Sequence, residues 1–262
     1  MTLAAILLLI AVGFCAGGFG ALAGVGGGII VTPMLAIYFG LPMHQAIGVT
    51  LLCVIATSTA TSALYVERHL TDVRLGMTLE LATTVGALIA ALVAHSINRR
   101  TLAMLFACFL LYSSGSMIKK AWASRNVKRE ETIPDYTPQN YPIGLAASFI
   151  AGGFSGLLGI GGGPIKVPVM LLFMKVPLRV AAATSNFMIG VTAATSAYVY
   201  WGRGDVRIDF AAPLVAGVFA GSLLGARISS KVRAFYILIL VIGVTGWFAA
   251  QMIYKLLTGG FQ

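Results

Sequence analysis

Residues 17–33 read GGFGALAGVGGGIIVTP, and residues 152–168 read GGFSGLLGIGGGPIKVP. Superposed at an offset of 135, the two stretches share ten identities in seventeen positions. The register continues outward: Pro42 falls on Pro177, Ala46 on Ala181, Thr57 on Thr192 and Tyr65 on Tyr200. After a loss of two residues, Asp72-Val73-Arg74 falls on Asp205-Val206-Arg207. The chain is therefore expected to be two homologous halves, residues 1–118 and 142–262. A polar linker at 119–141, with its Lys, Arg, Glu, Asp and prolines, joins them.

Composition sets the solvent. Of 262 residues 58% are apolar, and the 18 Lys+Arg and 8 Asp+Glu make only 10% charged, where a soluble domain carries roughly 25%. Several uncharged stretches reach the roughly 18 residues that read as membrane-spanning helix. Segments such as 104–118 and 235–253 are apolar on every side, which excludes the period-2 alternation of a porin-type barrel. No Lys or Arg precedes the first apolar run, and that run continues to about Phe39, so it reads as a retained segment and not as a cleaved signal peptide. Cys15, Cys53 and Cys108 lie in apolar segments without C-x-x-C spacing, so neither a disulfide framework nor a zinc site is expected. The net charge of +10 sits in short loops, where it orients helices against anionic membrane lipid; it does not form the stripe that nucleic acid would need.

Each half opens with an apolar stretch too long for one crossing. Residues 2–41 as one helix would reach about 60 Å, against a hydrocarbon core of about 30 Å. The turn is marked by Gly24-Val25-Gly26-Gly27-Gly28 and by Gly159-Ile160-Gly161-Gly162-Gly163, and Pro164 follows the second at once, as at the start of a new helix. Each half is thus a helix, a glycine break and a shorter helix, either a re-entrant hairpin or a pair of spans. Three ordinary spans follow, near 46–66, 75–97 and 101–118, then 179–201, 209–228 and 233–254. A hairpin adds zero or two net crossings, so each half crosses an odd number of times and the second is inverted. The expected fold is an all-α polytopic membrane protein of two inverted repeats.

Loop charge agrees with inversion. One side then carries Arg68, Arg74, Lys119, Lys120, Arg125, Lys128, Arg129, Lys175, Arg179, Arg227, Lys231 and Arg233, twelve in all, against five opposite: Arg99, Arg100, Arg203, Arg207 and Lys255. A single crossing of the first stretch gives 10 to 7. The positive-inside rule favours inversion, with both termini outside.

The G-x-G-G-G-x-x-x-x-P pattern in both halves, Ala183 to Phe187 (A-T-S-N-F), Gly204 to Val206 (G-D-V) and Gly221 to Arg227 (G-x-x-x-G-A-R) resemble the TauE/SafE family of sulfite and organosulfonate transporters. The first half departs from the pattern at Thr71, where the second has Gly204, and at Leu51, where the second has Asn186. The resemblance implies a multi-pass protein of a bacterial or archaeal inner membrane. It further implies a secondary transporter, an exporter, of small sulfur-containing anions such as sulfite, thiosulfate or organosulfonates.

The residues suggest how such an anion would be held. A helix that restarts inside the membrane presents unpaired N–H groups and about half a positive charge at its N-terminus. The expected binding elements are Gly26, Gly27 and Gly28 with Gly161, Gly162 and Gly163, if the two breaks meet. The competing reading is close helix packing, which is also the reading preferred for Gly217, Gly221 and Gly225. Lys166 sits early in the second half-helix, where the dipole disfavours a cation and a bound anion would compensate it; the alternative is a lysine snorkelling to water. Val31 stands at the equivalent place in the first half.

Hydroxyls recur at the same offset: Thr50, Thr57 and Thr61, then Ser185, Thr192 and Ser196, with Asn186 beside them. They would donate to oxyanion oxygens, or else bond to carbonyls one turn back. Glu80, early in a span, could carry a coupling proton, or else be an interface-facing carboxylate without such a role. His44, His69 and His95 read as boundary residues, Asp72 and Asp205 as caps or partners of nearby Arg, and Arg68 and Arg203 as attractors of anions at an entrance. No nucleotide motif is present and no cofactor is expected. An anion channel is the alternative class. An intramembrane serine enzyme is weaker, because Gly153-Phe154-Ser155-Gly156 only approaches a nucleophile motif.

Overall fold

The computed structural model describes residues 3–24, 26–125, 136–229 and 234–258. Val25, Lys128, Arg129, Lys231, Arg233 and the middle of the expected linker lie outside the described residues, as do the side chains of Lys119, Lys120 and Arg125. The described chain forms α1 (Leu3–Ala23), α2 (Gly28–Tyr38), α3 (Met43–Glu67), α4 (Val73–Ala94), α5 (Arg99–Arg125), α6 (Tyr141–Leu158), α7 (Gly163–Leu172), α8 (Leu178–Gly202), α9 (Ile208–Ile228) and α10 (Ala234–Leu257). No strand occurs among the described residues. α5 continues to Arg125, several residues into the stretch read as linker.

Seven of these helices are long and apolar enough to cross a membrane, and the chain is a multi-pass membrane protein. α8, expected as an ordinary span, is not among the seven. Its length suffices, but Arg179, Thr184, Ser185, Asn186, Thr192, Thr195 and Ser196 lower its mean hydropathy. Most of those polar side chains are buried against protein, so lipid does not select α8 as it selects the outer helices.

Glycine faces bring helices of opposite halves together. A Cβ on Gly17 would lie 2.3 Å from the Val218 carbonyl oxygen, and one on Gly221 only 1.9 Å from that of Phe14. The same contact joins α6 to α4, where a Cβ on Gly152 would lie 2.0 Å from the Thr83 oxygen. Such backbone contact is the usual cohesive device where lipid removes the hydrophobic drive. Gly217, Gly221 and Gly225 therefore act as packing residues, each against an α1 carbonyl.

Register follows from the same contacts. Ile10, Phe14 and Gly18 face Gly217, Gly221 and Gly225, so α1 runs parallel to α9, while Thr83 and Ala87 face Gly152 and Gly156, so α4 runs parallel to α6. α3 and α8 run antiparallel. Gly48 near the start of α3 touches Asp205 beyond the end of α8. Thr184 near the start of α8 accepts from the Asp72 N–H beyond the end of α3, at 3.0 Å. Phe39, past α2, stacks edge-on against Phe210 near the start of α9, with centroids 5.7 Å apart. α1 thus starts, and α2 ends, toward the same end of the bundle. Asn140, before α6, donates to the Phe173 oxygen after α7 at 2.9 Å, closing the second pair in the same way. In each glycine-broken pair the chain therefore turns back at the glycines, and the returning helix, 11 residues in α2 and 10 in α7, is shorter than the helices long enough to span.

Candidate functional site

The two breaks are built by backbone that only glycine tolerates well. Gly27 and Gly162 are the N-caps of α2 and α7, at φ 71° and 73°, and neither helix has a side-chain cap. Within α2 the first N–H groups to find acceptors are those of Ile30 and Val31, both on the Gly27 oxygen. Within α7 they are Ile165 and Lys166, on the Gly162 oxygen. The N–H groups of Gly28, Ile29 and Gly163 precede these and have no intrahelical acceptor.

The breaks also meet. A Cβ on Gly26 would lie 2.7 Å from Ile189 and 3.4 Å from Val54, and one on Gly161 would touch the same two side chains at 3.0 and 3.2 Å. Val54 and Ile189 are themselves equivalent positions of the two halves, each near the middle of its helix. Gly28 closes the contact, its Cβ position being 2.7 Å from the Gly159 oxygen and 3.0 Å from Thr50. Gly26 and Gly161 therefore meet at one central point of the bundle with Gly28 beside them, while Gly27 packs back on Ala16 of α1 and Gly162 on Ala151 of α6; Gly163 follows Gly162 as the first residue of α7.

The hydroxyl stripes are buried around it, and much of their hydrogen-bonding capacity is spent on the backbone. Thr50 donates to the Ala46 oxygen at 2.7 Å and accepts from Thr32 at 3.0 Å, a partner the pattern did not flag. Thr57, Thr61 and Ser196 each donate one turn back, to Cys53, Thr57 and Thr192. Ser185 and Asn186 support the first break directly, donating to the Gly24 oxygen at 3.5 Å and the Ala21 oxygen at 3.2 Å. Asn186 Oδ1 and the hydroxyls of Ser155 and Ser222 are buried with no partner among the described residues. Ser155 sits where the first half has Gly20.

Lys166 does not snorkel. It is 2% exposed, and its Nζ lies 3.3 Å from Glu80 Oε2 and 3.4 Å from the Thr192 hydroxyl. Thr192 in turn donates to Glu80 Oε1, and Thr84 reaches the same oxygen at 3.4 Å. Glu80, expected near an interface, is 5% exposed. Burying both charges is expensive unless they are paired and hydrogen-bonded, which this cluster achieves with two hydroxyls.

The peripheral polar residues have other work. Arg203 donates to the Ala91 and Leu92 oxygens near the end of α4, both at 2.8 Å, and Arg68 to the Ala226 oxygen near the end of α9 at 3.3 Å. These are equivalent contacts in the two halves, cations on helix C-termini, where the dipole favours them. Asp72 caps α4 through the Leu75 N–H and accepts from Tyr136 at 2.9 Å. Partial burial and that carboxylate raise the Tyr136 phenol above its ordinary range. Arg207 pairs with Asp209 at the surface, 2.7 Å apart. His44 and His95 sit together at a bundle end, with ring centroids 6.1 Å apart. No cluster of metal-ligating side chains occurs among the described residues.

Comparison with known proteins places this architecture. The family model described as sulfite exporter TauE/SafE matches residues 9–252. "Probable membrane transporter protein YunE" of Bacillus subtilis is 30% identical over 266 residues, covering 95% of this chain and 97% of that protein. A "Probable membrane transporter protein" of Methanocaldococcus jannaschii is 29% identical over 260 residues, covering 92% and 94%. "Sulfite exporter TauE/SafE family protein 5" of Arabidopsis thaliana is 38% identical over 89 residues, 34% of this chain and 20% of that one. No solved structure matches the chain.

Proposed function

The chain belongs to the sulfite exporter TauE/SafE family, a membrane transporter of that type, and on this premise we propose that it is a secondary transporter exporting small sulfur-containing anions, such as sulfite, thiosulfate or organosulfonates, across a bacterial or archaeal inner membrane. The anion binds where the two breaks converge, against the N–H groups at the starts of α2 and α7, whose dipoles both point positive ends at it. The observation that carries the reading is that convergence: Gly26 and Gly161 share Val54 and Ile189 as neighbours. With glycine at three successive positions of each break, no Cβ shields those N–H groups. Thr50, Thr57, Ser185, Asn186 and Thr192 line the surrounding helices, and Lys166 supplies a nearby cation.

The halves are inverted repeats, a reading supported by the antiparallel packing of α3 on α8 and by the two hairpins opening toward opposite ends. Access alternates as one hairpin, with the helices it packs on, rocks against the other. Positive-inside bias puts both termini outside. Purified protein in liposomes preloaded with sulfite, thiosulfate, sulfate or a small sulfonate tests the assignment. Saturable counterflow of at least one sulfur anion is expected. Large unitary currents without counterflow would replace the carrier with a channel.

A further inference from the structure

The buried pair Lys166 and Glu80 is not a feature of the repeat. Val31 occupies the equivalent of Lys166, and Pro213, at the shifted register of α9, the equivalent of Glu80. Two isolated residues on different halves have been brought into one contact, α7 of the second half to α4 of the first half. Their third partner, Thr192, stands one turn beyond Ile189, the side chain that both glycine breaks touch. The ion pair is therefore within about a helical turn of the point where the proposed anion site lies.

The contact is also incomplete as a structural lock. Lys166 meets Glu80 through one oxygen at 3.3 Å, while the other carboxylate oxygen is occupied by Thr192 and Thr84. An ammonium has three N–H donors, and among the described residues it finds Glu80 and Thr192. Other ionisable groups keep their distance. α4 carries besides Glu80 only Arg74, in its exposed first turn, and α7 only Lys166. α6 has Tyr141 at its start, and α8 has Arg179 at its start with Tyr198 and Tyr200 near its end. α5, packed on α7, has Cys108 and Tyr112 exposed in its middle and its basic residues at the ends.

We propose that Glu80 is the proton-carrying group of the transporter and that the transported anion replaces it as the partner of the Lys166 ammonium, so that one proton moves with each monovalent anion. This rests on the transporter reading above. A proton from the open side adds to Glu80 Oε2, converting the carboxylate to a neutral acid that stays hydrogen-bonded to Thr192 and Thr84. The ammonium, released from the carboxylate, takes the anion. Net charge in the cluster is zero before and after, so neither state leaves an unpaired ion in the core. Release on the far side reverses both steps: the anion leaves, the proton departs, and the pair closes.

The test uses the full chain in liposomes with labelled methanesulfonate and thiosulfate in parallel, neither of which titrates near neutral pH. For the wild type, an imposed pH gradient should drive accumulation. A trapped pH dye should report one proton per methanesulfonate, and apparent affinity should weaken as the pH rises, by up to about tenfold per pH unit for one proton taken up with each anion. Glu80→Gln should keep counterflow, lose gradient-driven accumulation and show an affinity flat with pH. If Glu80→Gln fails to fold because Lys166 is left uncompensated, Glu80→Gln/Lys166→Met removes both charges, and its counterflow should fall at least tenfold. Gradient-driven accumulation retained by either variant, or wild-type counterflow with no proton movement, overturns the coupling role and leaves the transporter reading intact. Absence of counterflow for these two anions and for sulfite and sulfate overturns the transporter reading and the coupling with it. A merely static pair would lower thermal stability and leave the pH slope unchanged.

Discussion

Gly221→Ala tests how closely the two halves must approach. The new Cβ would stand 1.9 Å from the Phe14 oxygen, with the Phe14 carbonyl carbon at 2.7 Å and Cα at 2.8 Å. All three are backbone atoms, so no side-chain rotation relieves the overlap; α1 must move off α9 by about an ångström. Gly13, Gly17, Gly217 and Gly225 lie in the same contact and would be pulled apart with it. Overpacking of this kind costs about 1–3 kcal/mol. Gly246→Ala, in α10, is the control, because a Cβ there meets nothing within 4 Å. Both substitutions gain about 1 kcal/mol of helix propensity, so their difference isolates the packing penalty. Thermal unfolding of the two variants in one detergent should separate them by roughly 2–4 °C per kcal/mol, Gly221→Ala melting lower. Because α1 carries the first break, its uptake rate should fall as well. Equal melting temperatures would refute the claim that backbone contact sets the spacing of α1 and α9.

Asn186→Ala removes a donor to the Ala21 oxygen, but Tyr65 still donates to that oxygen at 3.3 Å; stability should fall by only about 1 kcal/mol, while anion affinity in a binding titration falls at least fivefold. Unchanged affinity in folded protein would take Asn186 out of the site. Arg203→Ala strips a cation from the end of α4, costing about 0.5–1 kcal/mol in a melting experiment with little change in the salt dependence of uptake; a steep loss of salt dependence would restore the entrance role. Labelling of single cysteines placed near residues 3 and 258 by an impermeant reagent should occur from outside the cell, and labelling from the cytoplasmic side alone would reverse the orientation.

The breaks and the repeat were legible because they leave local marks. Two glycine clusters 135 residues apart, one followed by Pro164, can be read without knowing any contact. Which end of the bundle each pair returns to, by contrast, needed Phe39 on Phe210 and Asn140 on Phe173, contacts that no window of sequence contains. Lys166 and Glu80, each taken alone, fit an interface as well as a core, because 86 residues and a change of half separate them. The hydroxyl stripe was found by period, but period does not reveal whether Thr57 faces a ligand or bonds the Cys53 oxygen. The boundary of α5 was placed short because Lys119 and Lys120 end the apolar run, whereas a helix can continue past a membrane surface as a basic segment.

The central claim is the location of the anion. Selenite is a close analogue of sulfite, and its selenium scatters anomalously, so an experimental structure of the protein with selenite can locate it directly. The account predicts an anomalous peak between Gly26–Gly28 and Gly161–Gly163, within hydrogen-bonding distance of the first N–H groups of α2 and α7. A peak confined to the arginines at the bundle ends, with none at the breaks, would contradict it.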